Sequence, residues 1–315
     1  WAPQEKESYL LDEYTGSLIR YHRFLADNGD LIHPAVPWSQ VALVYPRRAE
    51  VAGDGNALEA LTRIGRLLEG RHMPFEIIMD DQLVGFGGGF ELLIIPGICR
   101  MTPEEADFVK TYVSSGGKLI LTGDSGTLNL DNQPHEPALF QDWSMPPSPG
   151  AFSRLIQHGS GTVLYISDAP WSPENVDIRS NLSLSLYPLP DQDRFGKVFR
   201  SDIDRLLDTL YVDTDAPWYV RMRAWQPEIA DTIVLHWVNY HQNEDTEIEV
   251  PIQTDNFQVD MKIPEGFRID HIDWLYPEMT QPDRLPHVII DGRVRFTIPA
   301  VIVYGLSVIY LEAER

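Results

Sequence analysis

Residues 102–129 read TPEEADFVKTYVSSGGKLILTGDSGTLN, a helix and a strand joined by two glycines. Thr102 is placed to cap the helix, Pro103 to take its first position, and Glu105 to complete a capping box. Phe108, Val109, Tyr112 and Val113 form its apolar face, and Gly116-Gly117 ends it. The run KLILTG is then a short buried strand, and GDSG leaves Ser125 framed by glycines at its end. The same grammar extends outward. VALVYPR (41–47), FEIIMDD (75–81), ELLIIPG (91–97) and GTVLYIS (161–167) read as further strands. ALEALTRIGRLLEGR (57–71) carries Leu58, Leu61, Ile64, Leu67 and Leu68 at helical spacing. Continuous apolar strands alternating with helices predict a parallel sheet covered on both faces. The expected fold is a three-layer, flavodoxin-like α/β domain over residues 39–212, ending in a Pro- and Ser-rich connector and the helix FRSDIDRLLDTLY.

The flanks differ. Residues 5–26 read as an amphipathic helix stopped by Asn28-Gly29, and HPAVPW is a proline-punctuated connector, so residues 1–38 form an entry segment. From Asp213 the chain becomes a series of closely spaced strands without a helix, from WYVRMRAW to VIVYGLSVIYLE. Asp291-Gly292 between two apolar alternations marks a hairpin. Residues 213–315 are therefore expected to form a small antiparallel β-sandwich.

The 315 residues are 43% hydrophobic, enough for one large or two medium cores. A formal net charge of −22 repels phosphate backbones and anionic lipid, which argues against nucleic-acid and membrane-surface partners. Cys99 is the only cysteine, so no intrachain disulfide and no cysteine metal cluster can form. That usage fits a reducing, cytoplasmic compartment. The histidines lack zinc spacing, and neither a metal nor a cofactor is expected. The longest apolar runs are broken by Pro and Gly, and no signal peptide is read. Because the chain starts at Trp1, it reads as a fragment, a processed product or a truncated piece.

Three features invite a chemical reading. A serine nucleophile needs a base, an orienting group and an oxyanion hole. GDSG surrounds the nucleophile of trypsin-like proteases, but those are all-β, whereas here the tetrapeptide follows a helix and a parallel strand. The hydrolase elbow G-x-S-x-G fails at Thr127, and TLNLDNQPHEP is too turn-rich to continue as a helix. Ser125 therefore competes with a plain reading, a tight turn whose Asp and Ser cap backbone groups. Cys99, just past a strand and close to a helix start, competes with the reading of a small buried hydrophobe. Asp80, Asp81 and Asp124 lie at carboxyl strand ends, where open α/β sheets place their ligands, and together outline a candidate pocket. In the sandwich, Trp218, Trp225, Trp237 and Trp274 serve either core packing or stacking on sugar rings. Asn181-Leu182-Ser183 fits a glycosylation sequon.

The ordered set FEIIMDDQL, ELLIIPGICRM, TPEEADFVKTYVSSGGKLILTG and the small polar loop after it resembles the class I glutamine-amidotransferase-like domain of certain glycoside hydrolases. It is most similar to the β-galactosidase trimerisation domain of glycoside hydrolase family 42, over about residues 39–170. SLIRYHRFLADNGDLI is similar to the helix leading from the barrel of such enzymes, and IVLHWVNYHQ and VYGLSVIYLE to their closing sandwich. In true amidotransferases the matching turn delivers a Cys, later joined by a His-Glu pair. Here that turn is Thr122-Gly123-Asp124-Ser125, and Cys99 lies in the preceding loop, where the family places oxyanion-hole glycines. The resemblance implies a fold kept and a chemistry lost. It also implies that the glycosidase carboxylates sit on a barrel this chain does not encode. The expected role is non-catalytic: assembly of a homo-oligomer, or bracing of a preceding glycosidase barrel. Oligosaccharide binding by the sandwich, or residual hydrolase or amidotransferase-like chemistry at Ser125 or Cys99, are the alternatives.

Overall fold

A computed structural model describes residues 12–85, 89–144, 153–167, 194–228, 231–243 and 250–314. The first part of the helix predicted over residues 5–26, up to residue 11, most of the Pro- and Ser-rich connector and the sequon at Asn181 lie outside them. The described residues fall into two units: Ser39–Asp213, and the residues up to Trp38 together with Thr214 onward.

The described residues open with helices α1 (Asp12–Asp27) and α2 (Gly29–Ile32) and strand β1 (Ala35–Pro37). The first complete unit then alternates β2 (Val41–Tyr45), α3 (Arg47–Val51), α4 (Gly55–Gly70), β3 (Phe75–Met79), β4 (Leu92–Ile95), α5 (Pro103–Ser114) and β5 (Lys118–Thr122). It closes with α6 (Gln141–Ser144), β6 (Ser153–His158), β7 (Gly161–Ile166) and α7 (Arg194–Leu206). The six strands form one sheet in the order β3-β2-β4-β5-β7-β6. The first five are parallel, and β6 is antiparallel to β7.

Alternation along each strand divides the core in two. Val41, Leu43, Leu92, Ile94, Ile120 and Leu164 meet α4 and α7 through Leu61, Ile64, Leu68, Phe199 and Ile203. Ala42, Val44, Leu93, Ile95, Leu119, Leu121 and Val163 meet Ala106, Val109 and Val113 of α5, together with Phe140 and Trp143. Both faces are thus covered, which is why these strands read as unbroken apolar runs. Burying each such side chain contributes about 1.5–3 kcal/mol. The capping box of α5 forms as its sequence predicts: Thr102 Oγ1 accepts from Glu105 N, and Glu105 Oε2 from Thr102 N.

The second unit is antiparallel. After β8 (Val212–Thr214) come β9 (Val220–Pro227), β10 (Thr232–Asn239), a small ribbon of β11 (Gln242–Asn243) and β12 (Val250–Pro251), and β13 (Phe257–Lys262). Then follow β14 (Phe267–Leu275), β15 (Asp283–Arg284), β16 (His287–Ile290), β17 (Arg293–Ile298) and β18 (Tyr304–Ala313). One sheet runs β1-β9-β10-β18-β14-β15, and another contains β16-β17-β13. Asp291 and Gly292 have φ of 51° and 74°, the positive values that a two-residue β16–β17 hairpin requires. Trp237 of β10 packs with its ring 5.0 Å from that of Phe257 of β13, tilted by 59°, and donates to Ser307, joining the two sheets. Trp274 lies so close to Gly305 that a Cβ there would sit 2.1 Å from its ring. The protein is thus a mixed α/β chain with several antiparallel sheets.

Three local differences from the sequence reading have physical causes. The segment HPAVPW contributes β1, which pairs with β9, so residues up to Trp38 group with the C-terminal unit rather than standing as a separate entry segment. Proline is tolerated there because β1 is an edge strand. The strand read over 41–47 ends at Tyr45, since Pro46 turns the chain into α3. Trp218 precedes β9 instead of lying within it.

Candidate functional site

Because β2, β3, β4, β5 and β7 are parallel, their carboxyl ends share one rim of the sheet. Every candidate residue in the α/β unit falls on it. Asp80 and Asp81 follow β3, Cys99 follows β4, and Asp124 and Ser125 follow β5. α3 delivers Arg47 and Arg48 to the same rim, and the start of α5 delivers Glu105.

The rim holds two charge clusters. In the first, Asp80 is 3% exposed, and its Oδ2 accepts a hydrogen bond from Arg48 N at 3.1 Å. Burial pushes the Asp80 carboxyl above its ordinary pKa, opposed by the Arg48 N–H and guanidinium. Arg48 Nη2 donates to Glu105 Oε1 at 2.6 Å, tying the cluster to the capping box. Asp80 Oδ1 and Arg48 Nη1 are buried without a hydrogen-bond partner among the described residues. Asp81 is exposed and pairs with Arg47 at 2.7 Å.

In the second cluster, Cys99 Sγ lies 3.9 Å from Asp54 Oδ2, which also receives Arg100 Nη1 at 3.4 Å. Asp54 caps α4 through Asn56 N, and Arg100 Nε donates to Asn132 Oδ1. Burial, then the charges of Asp124 and Asp54, push the Cys99 thiol up, against the opposing pull of Arg100. A reactive cysteine needs the reverse, a thiol pulled down by neighbouring cations. Asp124 is exposed and belongs to this cluster, so the three aspartates of the candidate pocket are divided between two groups.

Ser125 is 1% exposed, and its Oγ donates to Thr122 O at 2.7 Å. Among the described residues no histidine is hydrogen-bonded to it. His135 Nε2 bonds Met101 O, and His158 packs edge-on against Trp143. Gly126 has φ +71°, and a Cβ there would sit 2.8 Å from Phe140. The turn holds its own backbone together and offers no activated oxygen.

Sequence reasoning did not single out Arg47, Arg48, Asp54, Arg100 or Glu105 as site residues. The signal was Pro46-Arg47-Arg48 directly after an apolar strand, of which Pro46 and Arg47 read as the strand's own end. In the second unit, Trp237 and Trp274 are 0% and 1% exposed, so both belong to the core. Among the described residues no three His, Cys, Asp or Glu side chains converge to hold a metal ion. None of the described helices is long and apolar enough to cross a membrane.

No protein-family model matches the chain, and no curated protein matches it in sequence. Solved structures do match. An α-L-fucosidase isoenzyme 2 from Paenibacillus thiaminolyticus superposes with TM-score 0.63 at 15% identity, covering 92% of this chain and 51% of that one. A β-galactosidase from Bacillus circulans sp. alkalophilus gives 0.58 at 12%, covering 91% and 44%. A catalytic mutant of a GH42 β-galactosidase from G. stearothermophilus gives 0.55 at 13%, covering 96% and 43%. The chain shares its fold with part of each of these glycoside hydrolase structures. It spans about half or less of the length of these structures.

Proposed function

We propose that this chain is a non-catalytic, structural region of a β-galactosidase-like glycoside hydrolase, serving oligomer assembly or the bracing of a glycosidase barrel. The observation that carries this reading is the rim of the parallel sheet. There the charged groups an α/β enzyme would turn toward substrate are turned toward one another, as Arg48–Glu105, Arg47–Asp81 and Arg100–Asp54. The strand order supports a flavodoxin-like, class I glutamine-amidotransferase-like layering. Numbered in order of succession, the parallel strands run 2-1-3-4-5. Both core clusters support helices on the two faces. The raised thiol pKa of Cys99 and the inward bond of Ser125 speak against residual amidotransferase or hydrolase chemistry. The burial of Trp237 and Trp274 speaks against a stacking platform for sugars built from those two rings.

The test pairs an activity assay with a mass measurement on the same sample. The chain is expected to hydrolyse neither nitrophenyl galactoside nor nitrophenyl fucoside, and to self-associate through an interface above about 1,000 Å². Hydrolysis lost in Ser125→Ala or Cys99→Ser would refute the non-catalytic reading. A monomer at micromolar concentration by light scattering would refute the assembly role.

A further inference from the structure

The second unit contains a groove of ≈ 540 Å³ between α1 and the connection from β14 to β15. That volume lies within the roughly 300–1,000 Å³ of small-molecule sites. Its floor is apolar. Phe24 and Leu275 are buried in a cluster with Val234 and Leu306, and Met279 packs against it. The walls are fixed to each other, because Tyr21 Oη donates to Glu278 Oε1 at 3.2 Å and Arg20 Nε lies 3.8 Å from the same oxygen. Burial and then Glu278 push the Tyr21 hydroxyl above its ordinary pKa, so this donor persists at neutral pH.

The rim of the groove is polar and unspent. Arg23, Asp27, Thr280 and Gln281 line it, and no hydrogen bond or ion pair engages their side chains among the described residues. A guanidinium left open in a chain of net charge −22 is a local exception to the surrounding field. It suits a planar carboxylate, which it can grip with two parallel hydrogen bonds. A dianion fits less well, since Asp27 lines the same groove and Glu278 borders it. Asp27 and Gln281 can accept from hydroxyls, Thr280 and Gln281 can donate to them, and the apolar floor suits the C–H face of a ring. A peptide strand gains its affinity from a free backbone edge. These walls are a helix and a turn bounded by Pro277 and Pro282, which provide no such ladder.

We propose that this groove binds a small saccharide bearing a carboxylate, either a free sugar acid or a uronate unit of an oligosaccharide. Arg23 takes the carboxylate, and Asp27 and Gln281 take the hydroxyls. This site is independent of the rim of the α/β sheet and of any oligomer, and stands or falls without them.

The full chain is titrated calorimetrically with galacturonate, trigalacturonate, uncharged galactotriose and acetate, at about 20 mM and about 200 mM salt. The uronates are expected to bind at least tenfold more tightly than galactotriose or acetate, and more weakly at the higher salt. Equal binding of the two uronates assigns a free sugar acid, and preference for the trimer assigns a chain unit; both support the site. Arg23→Glu is expected to lower uronate affinity at least tenfold and Arg23→Lys less. Arg23 is exposed, so an unchanged melting temperature shows that the fold survives. Equal binding of galactotriose, equal binding of acetate, unchanged affinity in Arg23→Glu, or no heat from either uronate at about 10 mM would each overturn the proposal.

Discussion

Lowering the pH from 7.5 to 4.5 should destabilise the second unit through one side chain, His236. It lies on β10, with Arg223 of β9 beside it on one side and Leu306 of β18 on the other. Its Nδ1 is 2.7 Å from Tyr304 Oη, and its Nε2 is buried without a hydrogen-bond partner among the described residues. Burial pushes the Tyr304 hydroxyl pKa up, so that hydroxyl stays a donor, Nδ1 accepts, and the ring proton belongs on Nε2. Burial lowers the imidazole pKa from 6.5 to about 4. The unfolded chain therefore takes up a proton as the pH falls through 6.5, and the folded chain does not until about 4. The stability held by the neutral ring is complete above 6.5, falls across that window, and is gone below it. A gap of about two and a half at about 1.4 kcal/mol each makes the complete loss about 3.5 kcal/mol. Carboxylates contribute their own acid sensitivity, so the decisive quantity is wild type minus His236→Gln. Urea unfolding at half-unit pH steps should give curves that converge by about 3 kcal/mol between pH 6.5 and 4, with an imidazole NMR titration midpoint near 4. Curves that stay parallel to within about 0.5 kcal/mol, or a midpoint near 6.5, would refute the reasoning.

Other substitutions probe separate parts of the molecule. Gly305→Ala drives a Cβ to 2.1 Å from the Trp274 ring and should cost about 3 kcal/mol or more, read as a fall in melting temperature; a neutral result would mean that this ring moves freely. The Cys99 thiol should react with a disulfide reagent at pH 8 more slowly than glutathione, because burial and two carboxylates hold it protonated; faster reaction would reverse the account of the second cluster. Arg48→Met leaves Glu105 and buried Asp80 without their cation and should cost about 2–3 kcal/mol, the usual penalty reduced because Arg48 is partly exposed. Adding Asp80→Asn and Glu105→Gln should restore part of that loss, and a triple variant no better than Arg48→Met would argue against charge as the cause.

The α/β core was legible because its strands are buried on both faces. VALVY and LLII leave no polar alternation to mislead, and the Thr102 cap marks α5 to the residue. Strand β6 was not legible. Its burial runs half-exposed along an edge, with Leu155 45% exposed, so neither a continuous nor a clean alternating pattern reaches the sequence. Strand β1 was hidden by Pro34 and Pro37, which punctuate a connector and an edge strand equally well. The rim was half legible. Topology sent Asp80, Asp81, Asp124, Cys99 and Ser125 to one rim, but which of them met an arginine depended on α3. That helix exists because Pro46 ends β2, and local sequence did not distinguish it from two more strand residues.

The GDSG turn shows why a serine in a promising position carries so little weight by itself. Its neighbours commit the turn to joining elements. Gly123 N bonds Ile166 O, Gly126 N bonds Ile98 O, and Leu139 N returns to Gly126 O. Tyr165 Oη donates to Gly123 O, while Thr127 Oγ1 donates to Asp124 O. Ser125 Oγ completes the set on Thr122 O, inside the protein. To act as a nucleophile it would have to leave that carbonyl without its partner, turn outward past Phe140 and Leu139, and meet a base. The nearby imidazole of His135 is already held by Met101 O, and His158 lies beside Gly161 at the opposite, amino end of β7. Each step gives up a formed contact before any chemistry begins, and Gly126 cannot ease the motion, since Phe140 fills the space beside it. The residues that make the turn rigid are the ones a catalytic elbow would need to keep free.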